Sequence, residues 1–193
     1  MADAHPFHSP TTHGFVRIAA ATPVVHTADP AANAEEHVAL IKRAAAEGVE
    51  LLLFPELSLS AYAIDDLVMQ GALLDEVERQ IGRLAPLTAE TGLVAVVGAP
   101  LRRDDRLYNC AVVLGNGRVL GVVPKTYLPN YREYYEKRWF SAGGDVSSHD
   151  GDLTLGEDEV PFGTDLLFEA ADRLGFVFGV EICEAYWAPL PPS

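Results

Sequence analysis

Short apolar runs that alternate with longer helix-forming segments are the feature of this sequence that most limits its possible folds. The runs "GFVRIAAA", "VELLLFPE" and "LVAVVGAP" are rich in apolar residues and have the length of strands. Between the first two lies "DPAANAEEHVALIKRAAAEG", in which Asp29 predicts a helix N-cap, Pro30 the first helical position and Gly48 the helix end. This alternation of apolar strands with helices predicts an α/β fold.

The second half of the chain interrupts this rhythm. The segment "AIDDLVMQGALLDEVERQIGRLAPLTAETG" predicts a helix that is interrupted at Pro86, and "RLYNCAVVLGNGRVLGVVPK" predicts an antiparallel hairpin that turns at "GNG". Residues 126–164 are polar and acidic, which predicts loop with short strands, and "DLLFEAA" and "FVFGVEIC" predict the last two strands. We expect residues 1–13 to be a disordered tail and residues 14–193 to form one domain.

Composition and charge exclude several classes of function. The 28 Asp and Glu against 14 Lys and Arg give a formal net charge of -14, which repels nucleic acids and anionic membrane surfaces. The sequence has no apolar run long enough for a membrane span and no export signal, and its two cysteines favour a reducing compartment, the cytoplasm. His5, His8 and His13 are spaced too irregularly for a helical metal face, so no metal site is predicted.

Three reactive residues each follow a predicted strand. Glu56 follows "LLLFP", Lys125 follows "VLGVVP" and Cys183 ends "FVFGVEI". Loops from several strands meet at the carboxyl edge of an α/β sheet, so these side chains are expected to lie together. A thiol is mostly protonated at neutral pH, and we expect Glu56 to accept its proton and Lys125 to favour the thiolate. Singly, each residue also has a structural explanation, which is how Cys110 is interpreted.

The segments "FPELSLSAY", "VPKTYLPNYREYYEKRWF" and "EICEAYW" resemble, in order and spacing, the three signature segments of the nitrilase, or carbon-nitrogen hydrolase, superfamily. The resemblance implies that Cys183 is the nucleophile, Glu56 the general base and Lys125 the stabiliser of the tetrahedral intermediate. A further glutamate of the family, carried by an "EKR-aromatic" segment, matches Glu136. Glu133 is the weaker match, because the basic and aromatic residues do not follow it.

Within this superfamily, "SAYAIDDLVMQ", "KTYLPNYREYYEKRWF" and "AYWAPLPPS" look most like the amino-terminal glutaminase domains of glutamine-dependent NAD synthetases. That likeness implies a four-layer α-β-β-α sandwich in a homo-oligomer, with L-glutamine bound near Tyr62, Tyr131, Tyr134 and Glu184. It also implies that ammonia passes to a carboxyl-terminal synthetase domain, which uses ATP and magnesium to amidate nicotinic acid adenine dinucleotide. No cofactor is expected in the glutaminase domain itself. The tyrosines also suit packing in an aromatic loop, and Glu184 also suits a position facing solvent.

The sequence departs from this family pattern in two ways. Ala185 stands where the family has an acid after the Cys-Glu pair. The later strands and helices of the domain, and the ATP loop of a synthetase, are absent, so we expect a domain truncated after the nucleophile strand, unstable and inactive alone. Two alternatives remain: a stand-alone amidase of the same superfamily, and an inactive truncated domain retained for subunit contacts.

Overall fold

A mixed five-stranded sheet forms the centre of the chain in a computed structural model, which describes residues 7, 10–144, 146, 148–173 and 175–192. Its strands, in spatial order, are β1 (Ile18–Ala20), β2 (Leu51–Leu53), β3 (Val94–Arg103), β4 (Arg106–Gly115) and β5 (Arg118–Pro124). Strands β1, β2 and β3 are parallel, whereas β3, β4 and β5 are antiparallel. The predicted α/β class is therefore confirmed, with a parallel half followed by an antiparallel half.

Two helices, α1 (Pro30–Ala46) and α2 (Gly71–Thr91), connect the parallel strands. The predicted start of α1 is confirmed, since the Asp29 carboxylate accepts a hydrogen bond from the backbone N–H of Ala32 at 3.0 Å. Among the described residues no helix combines the length and apolar character needed to cross a membrane.

The predicted interruption at Pro86 is wrong, because α2 continues through it to Thr91. Proline in a helix interior costs about 3 kcal/mol, so other contacts must hold the last turn. Leu84 is fully buried, and the Thr88 hydroxyl accepts a hydrogen bond from the backbone N–H of Gly117 at 2.9 Å. These tertiary contacts keep the end of α2 helical.

The antiparallel half consists of two successive hairpins. The predicted β4-β5 hairpin is confirmed, and Asn116 and Gly117 have positive φ values of 53° and 80° in its turn. The β3-β4 hairpin was not predicted. Asp104 and Asp105 form its turn with φ values of 50° and 60°, and the strand extends three residues beyond Pro100 to Arg103. Charged residues at this end of β3 concealed the strand.

Each face of the sheet has its own apolar core. Helices α1 and α2 and a short hairpin, β6 (Leu153–Leu155) with β7 (Asp158–Val160), contribute to the core on one face. The other face is covered by a second hairpin, β8 (Phe168–Glu169) with β9 (Val177–Phe178), and by Ile182. These last strands are much shorter than predicted: in the described part of the chain, β8 and β9 form a two-stranded sheet with two residues in each strand.

Part of the amino-terminal segment for which a disordered tail is predicted lies among the described residues. Pro10–His13 form a 3-10 helix, and His13 Nε2 hydrogen-bonds to the carbonyl oxygen of Phe7 at 2.8 Å. Pro10 has a backbone dihedral suited to the start of this 3-10 helix, and Gly14, directly after it, has a positive φ of 78°. The rest of the predicted tail, including His5 and His8, lies outside the described residues.

His37 on α1 is a fully buried histidine at the base of the loop that follows β2. Its Nδ1–H donates to the carbonyl of Asn33 at 2.7 Å, and its Nε2 accepts from the Ser58 hydroxyl at 2.8 Å. Ser58 Oγ in turn accepts the backbone N–H of Gly98 at 3.2 Å. Burial lowers the pKa of His37 from 6.5 to about 4, although the bond to Asn33 opposes this shift.

The neutral His37 predicts an acid-sensitive fold. Its pKa is lower in the folded than in the unfolded chain, so its contribution is present above pH 6.5 and is lost as the pH falls towards 4. Between pH 7 and 4.5 this loss amounts to about 2 kcal/mol of the free energy of unfolding. Denaturant titrations at the two pH values measure the change in the free energy of unfolding between them. This change should be smaller for His37→Gln than for wild type by that amount. Equal differences in the two proteins would contradict this role.

Candidate active site

The loop that follows β2 carries Glu56 to the edge of the sheet. Leu57 and Ala61 in this loop have φ values of 51° and 73°. The loop lies directly on β3, where a Cβ on Gly98 would overlap the backbone of Glu56 and Leu57. Only glycine at this position permits such a close approach, so Gly98 helps to fix where the Glu56 carboxylate lies.

Lys125 follows β5 and is completely buried, with a side-chain exposure of 0%. Its Nζ donates to Glu56 Oε1 at 2.6 Å and to Glu136 Oε1 at 2.7 Å. Burial alone would lower the pKa of Lys125, but the two carboxylates outweigh burial and raise it. Lys125 is therefore an ammonium ion shared by two carboxylates, and we call Glu56, Lys125 and Glu136 the ion cluster.

Glu136 is the most buried acid of the ion cluster, with 1% exposure of its side chain. The Tyr62 hydroxyl donates to its Oε1 at 2.6 Å. Burial raises the pKa of Glu136, although the hydrogen bonds from Lys125 and Tyr62 act in the opposite direction. The second oxygen, Oε2, is buried and has no hydrogen-bond partner within the described ranges. Glu133, the weaker sequence match, is exposed.

The basic and aromatic residues after Glu136 attach its segment to the 3-10 helix Asp65–Met69. Arg138 donates two hydrogen bonds to the carboxylate of Asp66, both at 2.7 Å, and the Trp139 indole donates a third at 2.8 Å. These donors hold the pKa of Asp66 well below its usual range. Because Tyr62 lies just before this 3-10 helix, the contacts hold both Tyr62 and Glu136 in place.

Cys183 begins the 3-10 helix Cys183–Trp187 with a φ of 48°, a left-handed conformation that is strained for a residue other than glycine. Cys183 is exposed as a residue, and the charge of Glu56 acts on its thiol. Partial burial of the thiol and the Glu56 carboxylate raise the pKa of Cys183, and Lys125 opposes them only in part. Lys125 thus favours the thiolate, but less strongly than burial and Glu56 disfavour it, and its ammonium is already hydrogen-bonded to two carboxylates.

Cys183 and Glu56 both line one cavity. This cavity has a volume of about 300 Å³ and is otherwise mostly apolar, with Leu53, Val96 and Ile182 in its wall. A neutral thiol beside a carboxylate, in a largely apolar cavity, suits proton transfer during nucleophilic attack.

The four predicted substrate contacts lie on one continuous surface. The Tyr134 ring contacts Tyr62 and Tyr131 edge-on, with ring centroids 6.4 and 6.0 Å apart, and Tyr131 donates to a Glu184 oxygen at 3.0 Å. The three tyrosines are 36–52% exposed. This tyrosine surface leads from Glu136 to Glu184 and is open to solvent, so it can contact a ligand.

Sequence reasoning missed Asn109, which belongs to the site. It lies on β4, is 1% exposed and donates from Nδ2 to Glu56 Oε1 at 2.6 Å. The available signal was that Asn109 is the single strongly polar residue in the otherwise apolar run "LYNCAVVL". Ala185, the local departure from the family pattern, is buried, so a longer acid there would need space that the alanine does not occupy.

This fold and cluster fit a known class of enzymes. The carbon-nitrogen hydrolase family model matches residues 16–191, and the chain belongs to this family. Among its relatives is the glutamine-dependent NAD(+) synthetase of Mycobacterium bovis, 49% identical over 187 residues, which are 97% of this chain and 27% of the relative. The chain thus spans about a quarter of the length of that relative.

Solved structures support the same fold. A glutamine-dependent NAD(+) synthetase from Cytophaga hutchinsonii superposes with a TM-score of 0.77 at 27% identity, over 88% of this chain and 28% of that one. An amidase variant from Nesterenkonia, with the acetamide moiety of fluoroacetamide added to its active site cysteine, superposes with a TM-score of 0.58 at 25% identity, over 66% and 48% of the two chains. The predicted nitrilase-like α/β fold is confirmed.

Proposed function

We propose that this chain hydrolyses the side-chain amide of L-glutamine through Cys183 and supplies the ammonia to a synthetase domain. The observation that carries the proposal is the ion cluster of Glu56, Lys125 and Glu136 beside the Cys183 thiol. The cluster combines a proton acceptor and a fixed positive charge next to a nucleophile. Those are the three elements that acyl transfer from an amide requires.

Acylation begins with the neutral thiol. As Cys183 Sγ attacks the amide carbon, its proton passes to the Glu56 carboxylate, and negative charge develops on the amide oxygen. The buried ammonium of Lys125 stabilises this oxyanion, with little competition from water. The intermediate then breaks its C–N bond, and Glu56 returns the proton to the leaving nitrogen, which departs as ammonia. Cys183 is left as a thioester.

Deacylation uses the same groups in a second cycle. Glu56, again a carboxylate, accepts a proton from a water molecule that attacks the thioester carbon. Lys125 stabilises the second oxyanion, and collapse of that intermediate breaks the C–S bond. The proton returns from Glu56 to the sulfur, which regenerates the thiol and releases glutamate. Glu136 remains a carboxylate that holds Lys125 in place.

The tyrosine surface is proposed to bind the amino-acid end of glutamine. Glu184 directly follows the nucleophile and accepts a hydrogen bond from Tyr131, which orients its carboxylate. A carboxylate in this position can receive the α-ammonium group of the substrate through charge-assisted hydrogen bonds. Tyr62 and Tyr134 lie between this group and the ion cluster and would contact the carbon chain of the substrate.

The fate of the ammonia is proposed from the relatives. The synthetases that share 49% identity with this chain are glutamine-dependent by name, and their length leaves room for a further domain. We propose that such a domain uses ATP and magnesium to amidate nicotinic acid adenine dinucleotide, and that the whole enzyme is a homo-oligomer. The cysteine adduct in the related amidase supports a covalent role for Cys183.

Replacement of the nucleophile should separate the two half-reactions. In the full-length enzyme, Cys183→Ala should lower glutamine-dependent NAD formation by at least about a thousandfold, because no thioester can form. NAD formation from added ammonium chloride should stay within about twofold of wild type. Cys110→Ala, which removes the other thiol, is the control and should retain glutamine hydrolysis. Equal loss of both activities in folded Cys183→Ala would contradict the proposal.

Glu184 should distinguish glutamine from simpler amides. We expect Glu184→Gln to raise the KM for glutamine about tenfold with little change in kcat, because a partly exposed charged contact is lost. Hydrolysis of butyramide, which has no ammonium group, should be unaffected. The control is Glu157→Gln, which removes an exposed charge from the β6-β7 turn. A wild-type preference for butyramide over glutamine would favour a stand-alone amidase instead.

A further inference from the structure

Asn109 contacts the ion cluster through both its side chain and its backbone. Its Nδ2 donates to Glu56 Oε1 at 2.6 Å, and its backbone carbonyl accepts the N–H of Lys125 at 2.7 Å. The residue is 1% exposed. It therefore connects the acid and the cation of the site from a rigid position in the middle of the sheet.

The orientation of the Asn109 amide follows from chemistry. A carboxylate has no proton to donate, so the amide must present its NH₂ group to Glu56. That choice leaves Asn109 Oδ1 buried, with no hydrogen-bond partner in the described part of the chain. An unpaired buried oxygen destabilises the fold, whereas an apolar side chain of similar size would avoid this cost. The contact with Glu56 is the interaction that asparagine adds.

We propose that Asn109 is a positioning residue, which together with Lys125 holds Oε1 of Glu56 so that Oε2 receives the proton of Cys183. The role of Glu56 as a base rests on the proposed function. The two hydrogen bonds described for the Glu56 carboxylate from Asn109 and Lys125 both end on Oε1. A carboxylate held by two donors on one oxygen cannot rotate freely, so its other oxygen keeps a constant direction.

The proposal also predicts how the pH dependence changes. Among the described residues, the titratable groups Lys125, Cys183, Glu136 and Tyr62 interact with or lie near Glu56, and Asn109 adds a donor that does not itself titrate. A donor stabilises the carboxylate over the carboxylic acid. Loss of this donor should therefore move the acid-side fall in rate to higher pH.

The test compares Asn109→Leu and Asn109→Asp with wild type in the full-length protein, and uses Val112→Ala as the control. Val112 is fully buried on the same strand and packs in the core on the helix side, away from the site. Two rates are measured across pH: glutamine hydrolysis, and alkylation of Cys183 by 2-chloroacetamide with the adduct located by mass spectrometry. The alkylation needs no glutamine, so it tests the role of Asn109 even if the substrate is another amide. Thermal melting reports on folding.

We expect Asn109→Leu to lower both kcat for glutamine and the alkylation rate about tenfold to a hundredfold, with KM nearly unchanged. The acid limb, which is the part of the pH profile where the rate falls as the pH is lowered, should move up by about one pH unit. Asn109→Asp, nearly the same size, should move the limb at least as far, because it places a second carboxylate against Glu56. Val112→Ala should melt at a lower temperature but keep both rates and the limb.

Rates and an acid limb in both Asn109 variants that match those of Val112→Ala would overturn the proposal, since a purely structural residue gives that result. If wild type fails to hydrolyse glutamine while the alkylation still responds to Asn109→Leu, the proposed substrate is wrong and the positioning role stands.

Discussion

The buried ammonium of Lys125 is the interaction on which the rest of the site depends. A lone charge with no exposure to water is very costly, and this one is tolerated because Glu56 and Glu136 each accept a hydrogen bond from it. The same arrangement decides the state of the nucleophile. Burial and the Glu56 carboxylate raise the pKa of Cys183, and the paired ammonium opposes them only in part, so Cys183 remains a thiol beside Glu56. Glu56 must therefore accept the thiol proton while the sulfur attacks the amide, because Cys183 is not a thiolate beforehand.

Each part of the fold delivers one member of this site. The parallel half supplies Glu56 on a loop that packs against Gly98, and the antiparallel half supplies Lys125 after its last strand. Glu136 comes from a loop fixed by Arg138 and Asp66. Cys183 comes from the segment that follows the hairpin over the second face of the sheet. The groups are remote in sequence, so their convergence is a property of the sheet and its connections.

Sequence reasoning succeeded where local chemistry specifies structure. Asp29 before Pro30 defined a helix start, and the reactive residues could be placed because each follows an apolar strand. It failed where tertiary contacts decide. The end of α2 is held beyond Pro86 by burial and by a hydrogen bond to Thr88, and Asn109 looked like part of an ordinary hairpin. The protonation of Cys183 depends on its burial and on the Glu56 carboxylate beside it, which no linear pattern records.

The most direct test of the shared ammonium measures the free energy of unfolding and the rate of glutamine hydrolysis. It compares Lys125→Met with the double variant Lys125→Met/Glu136→Gln. The single variant leaves two carboxylates without their counter-ion and should lose about 3–5 kcal/mol of unfolding free energy. The double variant should recover more than half of that loss, because Glu136 no longer carries an uncompensated buried charge. Both should hydrolyse glutamine at least about a hundredfold more slowly than wild type. A double variant as unstable as the single one, or one that hydrolyses glutamine at the wild-type rate, would contradict the shared-ammonium account.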